Sequence, residues 1–134
     1  MTTTASPARP TTARPVLVTV TRVVAALFGL LKLSATTYFL FFASAEAGGD
    51  PQGAFDWSVG VWSIALGAGY LVIAARLGRD ARVLPLAVGL AVADVAFSVV
   101  KFFVYDETAP IPFTVATMML LALVVASARP RRTA

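Results

Sequence analysis

The sequence predicts an all-α integral membrane protein, a bundle of four transmembrane helices with both termini in the cytoplasm. Three observations predict this fold class. Hydrophobic residues make up 58% of the 134-residue chain, whereas soluble domains contain about 45–50%. Charged residues make up only 13%, about half the usual share. The apolar residues also fall into four runs, each close to the roughly 20 residues that a helix needs to cross the hydrocarbon core.

Polar connections separate the four predicted spans, which cover about residues 23–43, 57–75, 83–105 and 111–128. They lie within a predicted membrane domain of residues 16–129. Residues 1–15 are rich in Thr, Pro and Ala, a composition that cannot build a core and predicts a disordered tail. Residues 130–134 predict a short basic tail. Pro110 and Pro112 suit the first turn of the fourth helix, where a missing N–H costs little.

The distribution of arginine predicts the orientation. All nine arginines lie in the N-terminal region through Arg22, in the connection Arg76–Arg82, or after the fourth span. These three regions share one side of an even-numbered crossing, and the other two connections contain acidic residues and no basic residue. The positive-inside rule then places both termini in the cytoplasm. The excess of Arg over Lys, with abundant Ala and Val, suggests a GC-rich bacterium and therefore its plasma membrane.

Composition also excludes several classes of function. The basic residues flank apolar runs and do not form a stripe interleaved with aromatics, so we expect no nucleic-acid partner. The chain has no Cys and no His, so thiol catalysis, the commonest metal ligands and the usual general base are missing. We therefore predict no catalytic residue, no metal site, no cofactor and no enzymatic activity.

Three ionisable residues lie within the predicted spans: Lys32, Asp94 and Lys101. A charge at mid-bilayer costs about 2.5–3.5 kcal/mol on insertion scales, and such residues are usually paired or face a cavity. Lys32 follows Arg22 by ten residues and Asp94 follows Arg82 by twelve, which places both roughly 15–18 Å from the inner boundary. The sequence therefore predicts an intramembrane ion pair between Lys32 and Asp94.

Each predicted span has one small or polar side and one bulky apolar side. On the third span the small and polar side consists of Ala87, Ala91, Asp94, Ser98, Lys101 and Tyr105. Comparable stripes contain Lys32 on the first span, Tyr70 on the second and Thr117 on the fourth. Since small residues let membrane helices approach closely, we expect these sides to face the bundle interior. Ser98, Lys101 and Tyr105 are then candidate polar or ligand-contacting positions toward the outer side.

The sequence leaves the role of the pair open. Lys32 and Asp94 can fix helix register only, or they can serve a proton or ion relay, clamp a ligand headgroup, or contact a partner helix. Most aromatic residues lie in the outer half of the predicted spans. They form either an interfacial belt or an aromatic-lined pocket, opening outward above the pair and suited to a quinone or lipid-like ligand.

The stretch Phe28–Leu33, with the sequence FGLLKL, resembles the start of DoxX-like proteins. These are small four-helix membrane proteins of bacteria, some of which are linked to respiratory quinol oxidation or redox homeostasis. The resemblance covers about one helix. It implies a redox-associated component that binds a quinone or lipid.

The leading functional expectation is a non-enzymatic accessory subunit or helper in the bacterial plasma membrane. Its predicted partners are the lipid bilayer and a larger membrane complex or further copies of the chain. Two alternatives stay open at this point. One is a small proton- or ion-coupled carrier built on the Lys32–Asp94 pair, and the other is the redox-associated component that the resemblance implies.

Overall fold

A computed structural model describes residues 13–38, 40–41, 53–108 and 110–128. These residues form four α-helices: α1 (Ala13–Tyr38), α2 (Ala54–Arg76), α3 (Val83–Tyr105) and α4 (Pro110–Ala128). All four are long and apolar enough to cross a membrane. The predicted all-helical class and the four membrane-length helices are confirmed, while the orientation of the termini stays a prediction.

The bounds of α2, α3 and α4 lie within three residues of the predicted spans, but α1 differs. It begins at Ala13, ten residues before the predicted start of the first span and inside the segment predicted to be a disordered tail. Pro15 does not prevent this earlier start, because it lies in the first turn of α1, where proline is tolerated. Residues 1–12, the end of the first predicted span from residue 42, and the basic tail lie outside the described residues.

The helices form a closed ring in chain order, since each packs on the next and α4 packs on α1. Neighbouring helices run antiparallel. At one end of the bundle, Thr21 of α1 bonds Ser127 of α4 at 3.0 Å, and Arg22 Nε donates to the carbonyl of Ala74 in the last turn of α2 at 2.8 Å. A cation at the C-terminal end of a helix also interacts favourably with its dipole.

The small and polar sides of the helices face inward. Ala87, Ala91, Asp94 and Ser98 are among the buried residues of α3, and Gly60, Ser63, Gly67 and Tyr70 are among those of α2. Large apolar side chains cover the outside of all four helices, for example Leu27, Val61, Val92 and Met119. A surface of this kind fits lipid as its solvent.

Two glycines lie where α1 and α2 cross. A Cβ atom at Gly29 of α1 would lie 2.8 Å from the backbone oxygen of Gly67 in α2, and one at Gly67 would lie 3.1 Å from the oxygen of Gly29. The two backbones therefore approach each other directly, as small residues permit in membrane helices. Lys32 follows Gly29 by less than one turn, so this crossing also positions the lysine.

Candidate functional site

Lys32 and Asp94 meet at the centre of the bundle. Lys32 Nζ lies 2.7 Å from Asp94 Oδ1, and the side chains are 6% and 1% exposed. Asp94 is the midpoint of α3, and α1 lies diagonally opposite α3 in the ring. The pair therefore crosses the bundle axis and does not link two adjacent helices.

The second oxygen of Asp94 accepts two further hydrogen bonds. Tyr70 OH donates to Asp94 Oδ2 at 2.8 Å, and Thr117 Oγ1 donates to the same atom at 2.6 Å. Tyr70 belongs to α2 and Thr117 to α4, so all four helices contribute one polar side chain to this carboxylate. We call Lys32, Tyr70, Asp94 and Thr117 the Asp94 cluster.

Three aromatic rings surround the ammonium group of Lys32. Its Nζ lies 5.4 Å from the ring centroids of Phe28 and Phe113 and 5.7 Å from that of Phe97. Ring faces attract cations by about 0.5–2 kcal/mol, more when the cation is desolvated. Phe28 also packs edge-on against Tyr70 at 4.9 Å. The rings thus replace part of the hydration that Lys32 loses in the bundle interior.

The Asp94 cluster is closed and internally satisfied. In the part of the chain that the structure describes, every fully enclosed side-chain nitrogen or oxygen has a hydrogen-bond partner. A buried charge without a partner carries a large desolvation cost. For the Asp94 carboxylate this cost is offset by the Lys32 ammonium group and two hydroxyl donors. For Lys32 it is offset by the carboxylate and three aromatic rings. As it stands, the arrangement can hold four helices in one register.

The three outer-side candidates have separate surroundings. Lys101 pairs with Glu107 at 2.8 Å, and both side chains are partly exposed. Tyr105 OH donates to Asp56 Oδ1 at 2.5 Å, which links the C-terminal end of α3 to the N-terminal end of α2. Ser98 is buried and lies in the wall of a groove between α3 and α4. The structure therefore does not bring Ser98, Lys101 and Tyr105 into one site.

Phe97 separates the two lysine–carboxylate pairs. Its ring centroid lies 5.7 Å from the Nζ atoms of both Lys32 and Lys101. Trp62 of α2 packs edge-on against this ring at 5.5 Å, and Phe97 is buried. The Phe97 side chain therefore lies between the Asp94 cluster and the more exposed Lys101–Glu107 pair.

The sequence placed Tyr70 and Thr117 on the inner stripes but did not connect them to Asp94. One signal was available, because Tyr70 is an aromatic residue of the inner half on a stripe of small residues. Phe28 is also an aromatic residue of the inner half and carried the same signal. Phe97 and Phe113 carried no comparable signal, since their spacing fits ordinary apolar packing. Among the described residues, no group of three or more acidic side chains is arranged to hold a metal ion.

No protein-family model, curated protein or solved structure matches the chain. The resemblance of residues 28–33 to DoxX-like proteins therefore gains no support from these comparisons.

Proposed function

We propose that the protein is a small, non-enzymatic membrane protein that acts as an accessory subunit or helper of a larger assembly in the bacterial plasma membrane. The observation that carries this proposal is the closed Asp94 cluster. Its carboxylate takes donors from all four helices, and Asp94 is 1% exposed. The interior charges then stabilise the packing of the four helices, and contacts with lipid and with a partner are made by the outer surface of the bundle.

The surface of the bundle supports the same role. Exposed large apolar side chains occur on every helix, such as Leu27, Val61, Phe103 and Met119. Partner helices in a bilayer bind through such surfaces by close packing and occasional hydrogen bonds. Two of the connections are short: residues 77–82 join α2 and α3, and residues 106–109 join α3 and α4.

Site-specific photo-crosslinking tests this role. A photoreactive amino acid is placed singly at Leu27, Val61, Val92 and Met119, one exposed position on each helix, in the native host. An accessory subunit gives a discrete protein adduct from one or two of these faces, and the same protein copurifies in stoichiometric amount under gentle detergent. The remaining faces, which contact lipid, serve as internal controls.

Two outcomes contradict the accessory role. Adducts only between copies of the chain would identify a homo-oligomer, and the absence of any protein adduct from all four faces would identify a protein that works alone. Mass spectrometry of the crosslinked bands distinguishes these outcomes.

A carrier is the second candidate, because Asp94 and Lys32 lie midway along the bundle and carboxylates at this depth serve proton relays. In this case Phe97 would act as the barrier between the cluster and the Lys101–Glu107 pair. A carrier predicts proton flux into vesicles under a membrane potential that Asp94→Asn abolishes while the variant remains folded. The accessory role predicts no flux for either protein.

A further inference from the structure

A groove of about 170 Å³ lies between α3 and α4, in the half of the bundle that contains Lys101. Its wall includes Val95, Val99, Phe102 and Phe103 of α3 and Ile111 of α4. It contains no charged side chain. Phe103 is 78% exposed, and Val99 and Ile111 are also exposed, so the groove opens sideways toward the lipid. A molecule dissolved in the bilayer can enter it without crossing the bundle.

Ser98 places an unpaired hydroxyl in this groove. The side chain is only 8% exposed, and its hydroxyl has no hydrogen bond to any described residue. Every fully enclosed side-chain oxygen among the described residues has a partner, so the Ser98 oxygen is the part of this side chain that opens into the groove. Every other buried hydroxyl in the described ranges is bonded: Thr21, Ser63, Tyr70, Thr117 and Ser127. The other hydroxyl of the groove wall, Thr114, donates to the carbonyl of Pro110 at 3.0 Å. Ser98 is therefore the exception among the buried hydroxyls.

The depth of Ser98 makes the missing partner costly. Ser98 follows Arg82 by sixteen residues, about 24 Å along a helix that crosses a core roughly 30 Å thick. Water is scarce at this depth, and an unpaired hydroxyl in an apolar medium is unfavourable. Phospholipid acyl chains carry no acceptor there, because the ester groups belong to the interfacial region. A ligand that brings an oxygen acceptor below the interface completes the site.

The walls restrict the shape and charge of this ligand. Phe102 and Phe103 lie 5.3 Å apart with their rings at 87°, so they present both a face and an edge, to which flat rings bind well. The absence of charge in the wall favours a neutral molecule. We infer that the groove binds a neutral, membrane-soluble molecule whose flat ring carries a carbonyl oxygen, with Ser98 donating a hydrogen bond to that oxygen. This inference does not depend on the accessory role.

Benzophenone is a suitable probe, because it is a neutral ring ketone that attaches covalently to nearby C–H bonds under light. The full chain in phosphatidylcholine vesicles is irradiated with increasing benzophenone, and the adducts are mapped by mass spectrometry. We expect saturable labelling at residues 95–103 and 110–114. Fluorenone, a flat ketone, should compete with the probe, whereas fluorene, which has the same rings but no carbonyl, should not.

Variants separate the hydrogen bond from simple partitioning into lipid. Ser98→Ala should raise the benzophenone concentration that gives half-maximal labelling roughly five- to tenfold, the loss of affinity expected for one hydrogen bond. Ser98→Thr keeps the hydroxyl and should leave that concentration close to the wild-type value. Ser34, an exposed serine of α1, provides the matched control, since Ser34→Ala should leave labelling unchanged. If Ser98→Ala does not fold, Val95→Phe fills the groove with Ser98 intact and should abolish labelling.

Three results would overturn the inference. Labelling that never saturates and spreads over the exposed faces of all four helices would identify general partitioning. Equal competition by fluorene would show that the carbonyl is not recognised. Labelling that is unchanged in both Ser98→Ala and Val95→Phe would place the ligand elsewhere.

Discussion

The two oxygens of Asp94 have different partners. Oδ1 lies against the ammonium group of Lys32, whereas Oδ2 accepts hydrogen bonds from the hydroxyls of Tyr70 and Thr117. Because a buried polar group that loses a hydrogen-bond partner carries a desolvation cost, each hydroxyl should contribute separately to stability. In membrane proteins, each interhelical hydrogen bond adds only a modest amount to the free energy of unfolding, since the polar groups of the unfolded chain in the membrane also find partners.

Removing one hydroxyl donor tests whether its hydrogen bond to Asp94 contributes separately to stability. We expect Thr117→Val to lower the free energy of unfolding by about 0.5–2 kcal/mol, measured by titrating the purified protein with a denaturing detergent. Thr114→Val is the matched control, because Thr114 bonds only the carbonyl of Pro110 in its own helix. Equal losses in the two variants would show that the bond from Thr117 to Asp94 does not stabilise the bundle.

Some of this site was predictable at the residue scale. Counting residues from Arg22 and Arg82 placed Lys32 and Asp94 at the same depth, since the rise per residue of a helix is fixed. Convergence of Tyr70 and Thr117 on one oxygen depends on how far each helix is rotated and shifted against its neighbours. Sequence periodicity identifies the inner stripe of a helix but not this register, so the two hydroxyl donors were not assigned.

At the scale of the elements, the crossing of α1 and α2 at Gly29 and Gly67 sets the register that the cluster uses. Nearer the C-terminal end of α1, the same pair of helices is joined by the bond between Thr36 and Ser63 at 2.5 Å. Hydrophobic run length predicts a membrane span but not where its helix ends. For this reason the predicted spans agree with α2, α3 and α4, whereas α1 begins ten residues earlier than its predicted span.

A methyl group added at Gly29 should separate these helices. We expect Gly29→Ala to lower the free energy of unfolding by about 1–3 kcal/mol, as overpacking does, because the new Cβ would lie 2.8 Å from a backbone oxygen that cannot move aside. The control is Gly89→Ala on α3, where a Cβ meets nothing within 4 Å. That variant should be neutral or more stable by up to about 1 kcal/mol, owing to helix propensity.

The same denaturing-detergent titration measures both glycine variants. A Gly29→Ala protein as stable as Gly89→Ala would mean that α1 and α2 do not approach as closely as described.

For the whole molecule, the arginine distribution predicts that the connection between α2 and α3 faces the cytoplasm. The chain has no cysteine, so a single introduced thiol reports its own location. Ala81 and Thr108 are exposed and lie in different connections. In intact cells, a membrane-impermeant maleimide should label Thr108→Cys and should not label Ala81→Cys until the cells are lysed.

The reverse labelling pattern would invert the proposed orientation, and labelling of both thiols in intact cells would contradict four membrane crossings. The presence of four membrane-length helices was predictable at this scale because hydrophobic run length and composition indicate it. Partner and ligand were not, since they depend on surfaces that only the packed helices form.

The most direct test of the Asp94 cluster is a double-mutant cycle on Lys32 and Asp94, with Lys101 and Glu107 as the control cycle. The two pairs have nearly equal N–O distances of 2.7 and 2.8 Å, but Lys101 is 28% and Glu107 40% exposed. We expect Lys32→Met and Asp94→Asn each to lower the free energy of unfolding by about 3–5 kcal/mol, and the double variant to recover much of that loss.

The single variants Lys101→Met and Glu107→Gln should each cost less than about 1 kcal/mol, as for exposed ion pairs. If Lys32→Met and Asp94→Asn were as stable as the wild-type protein, or if their losses simply added in the double variant, the buried pair would not be what holds the four helices together.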